Sequence, residues 1–154
     1  MAVMADRVQR CLEPGLSILV GTVGSHGVPA CCRGIAIASS DHLETLTVYL
    51  PVATSQEAIR NIALTKRIAV AASHPVDHCS TQMKGTTIET RLAHDEESGH
   101  VQRALEAFAS TLDRIGVPRR LTRSVAHWPA FAVTMRVEDM FEQTPGPQAG
   151  CRLR

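Results

Sequence analysis

From Leu16 to Val23 the chain reads LSILVGTV, an apolar run rich in β-branched side chains, which predicts a buried strand. Gly24-Ser25-His26-Gly27 is a turn signal, and Pro29 to Ser39 (PACCRGIAIAS) predicts the returning strand of a hairpin. Apolar and polar positions alternate with period two from Leu43 to Leu50, a third strand that Pro51 ends. Arg67 to Ser73 predicts a fourth strand, closed by His74-Pro75, and Ser80 to Leu92 a fifth. Within the fifth, Gly85 marks a bulge or a close backbone approach. Ala130 to Glu142 is the last strand.

Elsewhere the period changes. Thr54 with Glu57 three residues later has capping-box form and predicts a helix from about Ser55 to Leu64, with Ala58, Ile59 and Ile62 on one face. Val101, Leu105, Phe108, Ala109, Leu112 and Ile115 recur at three- and four-residue steps, so Asp95 to Ile115 predicts one long helix stopped by Gly116 and Pro118. A short helix is expected over Ala5 to Leu12, and a helical turn within Arg119 to Trp128. The Pro- and Gly-rich stretch Thr144 to Gly150 is expected to lie as an extended arm. Six strands with helices after the third and before the last do not follow β-α-β alternation. They predict a mainly β fold, a six-stranded antiparallel sheet closing into a barrel, as a single domain over residues 1–154 with residues 144–154 as its arm.

Composition narrows the functions. The chain has 154 residues, enough for one domain with a normal core at 44% hydrophobic residues. Sixteen Lys+Arg against fifteen Asp+Glu leave a net charge of +1, which argues against nucleic-acid binding through the overall field. The aromatic residues are Tyr49, Phe108, Trp128, Phe131 and Phe141, too few for base-stacking platforms. No apolar run approaches the ~20 residues that span a bilayer. Met1 to Arg10 lacks the apolar core of a signal peptide, so a cytoplasmic location is expected. Cysteines stand at 11, 31, 32, 79 and 151, an odd number without C-x-x-C spacing. Reduced thiols are expected rather than a disulfide framework or a closed zinc site.

The candidate chemistry centres on Arg33, a charge inside an apolar strand that requires a partner. Gly34 beside it leaves room for a flat ligand. Ser80, Gln82 and Lys84 share one parity and leave one face of their strand. Arg33 and Lys84, with the amide groups at the start of the Ser55 helix, can together neutralise a phosphate. Alternatively, Arg33 pairs with Glu44 or Glu89, and Ser80, Gln82 and Lys84 form a solvated face. His74-Pro75-Val76-Asp77-His78-Cys79 offers metal or haem ligands, although a polar turn is the simpler reading. Ser124 and His127 lack a placed acid for a triad. Cys31 and Cys32 point to opposite faces of a strand and are expected in the core, and Arg119, Arg120 and Arg123 on a solvated surface.

Several strings, in order, resemble the pyridoxamine 5'-phosphate oxidase-like family of FMN-binding split barrels. They are Arg33-Gly34-Ile35-Ala36-Ile37, Val48-Tyr49-Leu50, Thr54-Ser55-Gln56, Asn61-Ile62-Ala63, Arg67-Ile68-Ala69-Val70 and Gln82-Met83-Lys84-Gly85. The resemblance covers about residues 8–142. It implies FMN held between the two subunits of a homodimer. The Arg33 to Ile37 strand would run beside the flavin, Arg33 meeting the phosphate and the backbone of Gly34, Ile35 and Ala36 the ring edge. It implies further contacts from Tyr49, Thr54, Ser55 and Gln56, and from Ser80, Gln82 and Lys84 near the ring or phosphate. The oxidases proper carry a lysine where this chain has Ala38, a basic residue at Glu57, a glutamine at Ser80, and a C-terminal substrate segment unmatched in Thr144 to Arg154. The expected function is therefore an FMN-dependent oxidoreductase acting on an unspecified small molecule rather than on vitamin B6. His74 and His127 are its candidate acid-base groups, and the Pro-Gly arm can wrap the neighbour. The alternative is a non-catalytic carrier or sensor of flavin, haem or deazaflavin, with the His74 to Cys79 loop as the source of a haem ligand.

Overall fold

The run from Pro29 to Ser39 is two strands rather than one. In the structure, a computed structural model that describes residues 12–153, it breaks at Ile35 into β2 (Pro29–Gly34) and β3 (Ala36–Ser39). The other strands are β1 (Ser17–Val23), β4 (Thr45–Pro51), β5 (Arg67–Ser73), β6 (Ser80–Leu92) and β7 (Ala130–Glu142). All seven form one antiparallel sheet in the order β2-β1-β5-β6-β7-β4-β3. Consecutive strands β2 and β3 thus sit at opposite ends of the sheet, and a single residue joins them. The sheet must curl until its two ends meet.

Gly34 is where they meet. A Cβ there would stand 2.7 Å from Cγ2 of Ile18 on β1 and 3.0 Å from Cγ2 of Val48 on β4. Absence of a side chain lets strands from the two ends of the sheet approach around this corner.

The curled sheet buries Ile18, Val20, Leu46, Val48, Leu50, Val70, Met83, Val133 and Met135 inside it. Helix α1 (Gln56–Thr65) adds Ile62 to this interior, and Asn61 Nδ2 donates to Thr22 Oγ1 at 3.2 Å. The capping box expected at its start is absent. Ser55 is the N-cap but makes no side-chain cap bond, because its hydroxyl donates to the Pro51 carbonyl (2.6 Å). Lys66, in a left-handed conformation with φ 58°, ends the helix by donating its N–H to the Ile62 carbonyl.

The predicted long helix is a 3-10 turn over Asp95–Glu97 followed by α2 (Ser98–Asp113), with α3 (Arg119–Arg123) beyond it. Val101 and Leu105 of α2 pack with Ile35, Ala36, Tyr49, Ala130 and Ala132 in a second apolar cluster on the outer side of β3, β4 and β7. On the outer face of β1 and β5, where no described helix packs, Leu19 is 45% exposed.

The C-terminal segment is not an extended arm. Beyond Arg136, β4 no longer pairs with β7, and the returning chain takes that free edge. Glu142 N–H donates to Cys151 O (2.9 Å), Gly150 N–H to Glu142 O (2.7 Å) and Leu153 N–H to Met140 O (2.7 Å). Arg152 forms an ion pair with Asp139. Unmet strand hydrogen bonds, hidden in the sequence, draw the Pro-Gly stretch into this return.

The thiols also depart from expectation. Cys79 is disulfide-bonded, with Cys31, Cys32 and Cys151 free. Cys32 faces the core, and burial pushes its thiol up to about 11, while Cys31 is exposed rather than packed. The helix expected from Ala5 lies outside the described residues apart from Leu12, which is in a turn.

Candidate functional site

Pairing with β1 ends at Gly34, opposite Ile18, and the chain then crosses to β4. A seam therefore opens between the start of β1 and β3. Residues 12–15 and the first half of α2 border this cleft of about 350 Å³. Its walls are largely apolar, with Leu16, Ile18, Ile35, Ala36 and Ile37 on the strand side. His100, Arg103 and Ala104 of α2 face them.

Arg33 flanks the seam. Its Nη1 donates to Ser17 Oγ at 3.3 Å, and its guanidinium carbon lies 5.5 Å from the centroid of the Phe108 ring. Neither Glu44 nor Glu89 is its partner, since Glu89 faces Arg91 (3.7 Å). No ion pair to Arg33 is present among the described residues. Of the site residues marked out in the sequence, Ile35 and Ala36 line the cleft, and Arg33 and Gly34 precede them in the chain without lining it.

Tyr49 lies one layer behind, under α2. Its hydroxyl donates to Glu97 Oε1 (2.8 Å), and its ring centroid is 5.5 Å from that of His100. Glu97 also takes Arg91 Nη1 and Nη2 (2.6 and 2.9 Å) and the His94 N–H (2.7 Å). Chiefly through Arg91, these donors hold the Glu97 carboxyl down at about 2, against burial. Burial, then the bond to Glu97, pushes the Tyr49 phenol up to about 12. The cluster ties β4, β6 and the start of α2 together beside the seam. Because the folded carboxyl titrates below its ordinary 4.5, its stabilisation is complete above pH 4.5 and is lost as pH falls toward 2. Glu97→Gln is expected to cost about 1.5–3 kcal/mol at neutral pH and to flatten this acid limb, read from urea unfolding between pH 2 and 6.

Lys84 stands apart from Arg33. Cross-strand register runs Arg33–Leu19–Ala71–Gln82 and, two residues on, Cys31–Gly21–Ala69–Lys84, so both cations lie on the outer face. Three strand spacings separate their strands, roughly 14 Å. Lys84 Nζ leans the other way, 5.0 Å from the centroid of Phe141 on β7. A single phosphate clasped by Arg33 and Lys84 is not what one chain presents. Instead, Lys84 borders a second, shallow groove of about 510 Å³ with Gly21, Cys31, Arg67 and Ala69. Gln82 and Ser80 follow Lys84 along that outer face, Ser80 with its hydroxyl on Ser73 Oγ (2.9 Å). Thr54 and Gln56 are exposed at the start of α1, where Gln56 Nε2 donates to Val52 O (2.9 Å). No hydrogen bond links them to Arg33.

Neither the family models nor the curated proteins include a match to this chain. Solved structures do match. An F420 reductase superposes with a TM-score of 0.56 at 14% identity, covering 86% of this chain and 94% of its own. A putative pyridoxamine 5'-phosphate oxidase from Lactobacillus delbrueckii gives 0.53 at 14%, covering 92% of each chain. HutZ, the haem storage protein of Vibrio cholerae, gives 0.51 at 9%, covering 90% and 94%. The fold is that of the pyridoxamine 5'-phosphate oxidase-like split barrels. The three matched proteins differ in what their names say they do, so the split barrel by itself does not choose the ligand.

Within this split barrel the other clusters dissolve. His74 Nδ1 is 3.3 Å from Asp77 Oδ1, Cys79 N–H donates to that same oxygen (2.9 Å), and the Cys79 sulfur is in a disulfide. His74 to Cys79 is a polar turn, and no metal-holding group of His, Cys, Asp and Glu occurs among the described residues. Ser124 Oγ donates to Leu121 O and His127 Nδ1 lies 3.0 Å from Val125 O, so they do not pair with each other. Arg123 is spent on Glu106 (2.9 Å) and Arg119 on Asp113 (3.5 Å). No described helix is long and apolar enough to cross a membrane.

The residues missed in the sequence are His100, Arg103 and Phe108. His100 and Arg103 sit on the polar side of an amphipathic pattern and read as solvated. Phe108 belongs to the apolar stripe and reads as core. Only the position of α2 over the seam brings His100 and Arg103 to the cleft and Phe108 to Arg33.

Proposed function

We propose that this chain is an FMN-dependent oxidoreductase that holds the nucleotide along the seam, its phosphate toward Arg33 and its ring beside Ile35 to Ile37. The carrying observation is Arg33, a half-buried residue with no carboxylate partner among the described residues, two residues before the Ile35 to Ile37 wall of an apolar cleft of about 350 Å³. A buried-side charge without a counter-ion suits an anionic ligand, and the cleft has the size and character of a small-molecule site. When bound, the flavin supplies hydride or electron transfer. The chain's share is anchoring, orientation and exclusion of water. Arg33 offers charge-assisted donors, the aliphatic side chains of the seam dry one side of the ring, and strand β3 provides its edge. His100, with Nε2 3.1 Å from the Ile37 carbonyl, is fixed in the wall of the cleft.

We propose also that two copies pair through the outer face of β1 and β5. There, small residues Gly21, Ala69 and Ala71 surround the exposed Leu19, a flat surface that a second copy can cover without displacing side chains. Cys31 is exposed on that face. In a Cys151→Ser background, thiol labelling of Cys31 is expected to be much slower in the paired protein than in a Leu19→Glu variant that elutes as a monomer. Equal rates would place the contact elsewhere.

The cofactor reading is tested by an absorption spectrum of the purified protein and mass spectrometry of what denaturation releases. Flavin bands and released FMN are expected. A colourless protein that takes up no added FMN would defeat the proposal, and a Soret band would replace it with a haem function.

A further inference from the structure

Among the described residues, Arg33 is held by uncharged groups alone. Its Nη1 donates to Ser17 Oγ at 3.3 Å, and its Cζ stands over the Phe108 ring, 5.5 Å from the centroid. Arg60, Arg103, Arg114, Arg120 and Arg136 likewise have no ion pair among the described residues, whereas three other arginines are neutralised. Arg91 is gripped by Glu97, Arg67 by Glu138 and Arg123 by Glu106, each at 2.9 Å or less. A carboxylate at Arg33 would cancel its charge and occupy its donor fork. A ring face does neither, because a guanidinium resting on a π-system keeps its in-plane N–H groups outward. Of five N–H donors, Ser17 engages one.

The two supports come from the two elements that wall the seam. Ser17 opens β1 between the lining residues Leu16 and Ile18, and Phe108 lies one helical turn beyond the lining residue Ala104 of α2. Gly34, next in the chain after Arg33, is the corner at which Ile18 and Val48 close in.

We propose that Ser17 and Phe108 are positioning residues that hold Arg33 as a preformed receptor for the phosphate of the nucleotide, and that through Phe108 the seating of α2 sets the affinity for that phosphate. This rests on the FMN reading above. Both residues act through Arg33, and preorganisation lowers the ordering cost that a free arginine side chain would carry into the complex.

Comparing FMN with riboflavin tests it, because the two ligands differ only in the phosphate. Binding of each is followed by quenching of flavin fluorescence, for the parent and for Phe108→Leu, Phe108→Tyr and Ser17→Ala. Phe108→Leu is expected to weaken FMN binding about three- to ten-fold while leaving riboflavin binding nearly unchanged. Phe108→Tyr, which keeps a ring face, should retain the preference, and Ser17→Ala should lose part of it. A merely structural role would weaken both flavins alike, and that result overturns the proposal. Should Phe108→Leu fail to fold, Ser17→Ala and Phe108→Tyr decide, and an unchanged preference in Ser17→Ala counts against it. If the parent itself does not prefer FMN over riboflavin, the FMN reading falls. If the parent prefers FMN and Phe108→Leu keeps that preference, the positioning role alone falls.

Discussion

Gly85→Ala is expected to destabilise the fold by about 3 kcal/mol or more, at the upper end of what overpacking costs. The reason is local and steric. Register slips between Lys84 and Gly85, so that Lys84 faces Asp139 while Gly85 faces Val137, and Glu138 is the extra residue of a bulge in β7. At that point the two backbones close on each other, and a Cβ on Gly85 would lie 1.9 Å from the Arg136 carbonyl oxygen. Backbone cannot swing aside as a side chain does, so β6 and β7 must separate where the central sheet is most continuous. The cost should appear as a lower urea midpoint with little change in slope. Gly21→Ala, compared with the parent at dilutions where both are monomeric, is the control, since within one chain a Cβ there meets nothing within 4 Å. Equal behaviour of the two variants would show that the close approach at Gly85 is not what the sheet requires.

Arg33→Ala should weaken FMN binding by about 1.5–3 kcal/mol, the size of a charge-assisted hydrogen bond lost from a partly buried site. That corresponds to roughly a ten- to hundred-fold higher Kd. Folding should be little affected, because Arg33 makes one side-chain hydrogen bond and one ring contact and belongs to neither apolar cluster. Riboflavin, lacking the phosphate, should bind parent and variant about equally. Titration that finds FMN binding as tight in Arg33→Ala as in the parent would remove Arg33 from the site. Lys84→Ala makes the complementary comparison. With its ammonium aimed at Phe141 and three strands away from Arg33, Lys84 should contribute to FMN binding only where a second copy brings its face to the seam. A dilution series then reveals whether any Lys84 effect follows pairing.

The amino-acid order alone determined which segments are extended and which helical, because those signals are local. Period two in Leu43 to Leu50, β-branched runs in Leu16 to Val23 and Arg67 to Ser73, and three- and four-step spacing along Val101 to Leu112 each report what a segment can bury. Gly85 was legible for the same reason, as a glycine in an otherwise strand-like run demands a close approach. Arg33 stood out because an apolar strand does not carry a charge without a purpose. Tertiary structure alone decided the rest. Whether Pro29 to Ser39 is one strand or two depends on Ile18 and Val48 converging on Gly34, contacts from distant segments that no local pattern encodes. The separation of Arg33 from Lys84 follows from strand order, since shared parity places side chains on a face but says nothing of how many strands lie between them. Ser17 meets Arg33 through the pairing of β1 with β2, and Phe108 does so only because α2 settles across the seam. The tail turned back because β7 outruns β4 and its free backbone groups need partners, a shortage visible only after the sheet has been assembled.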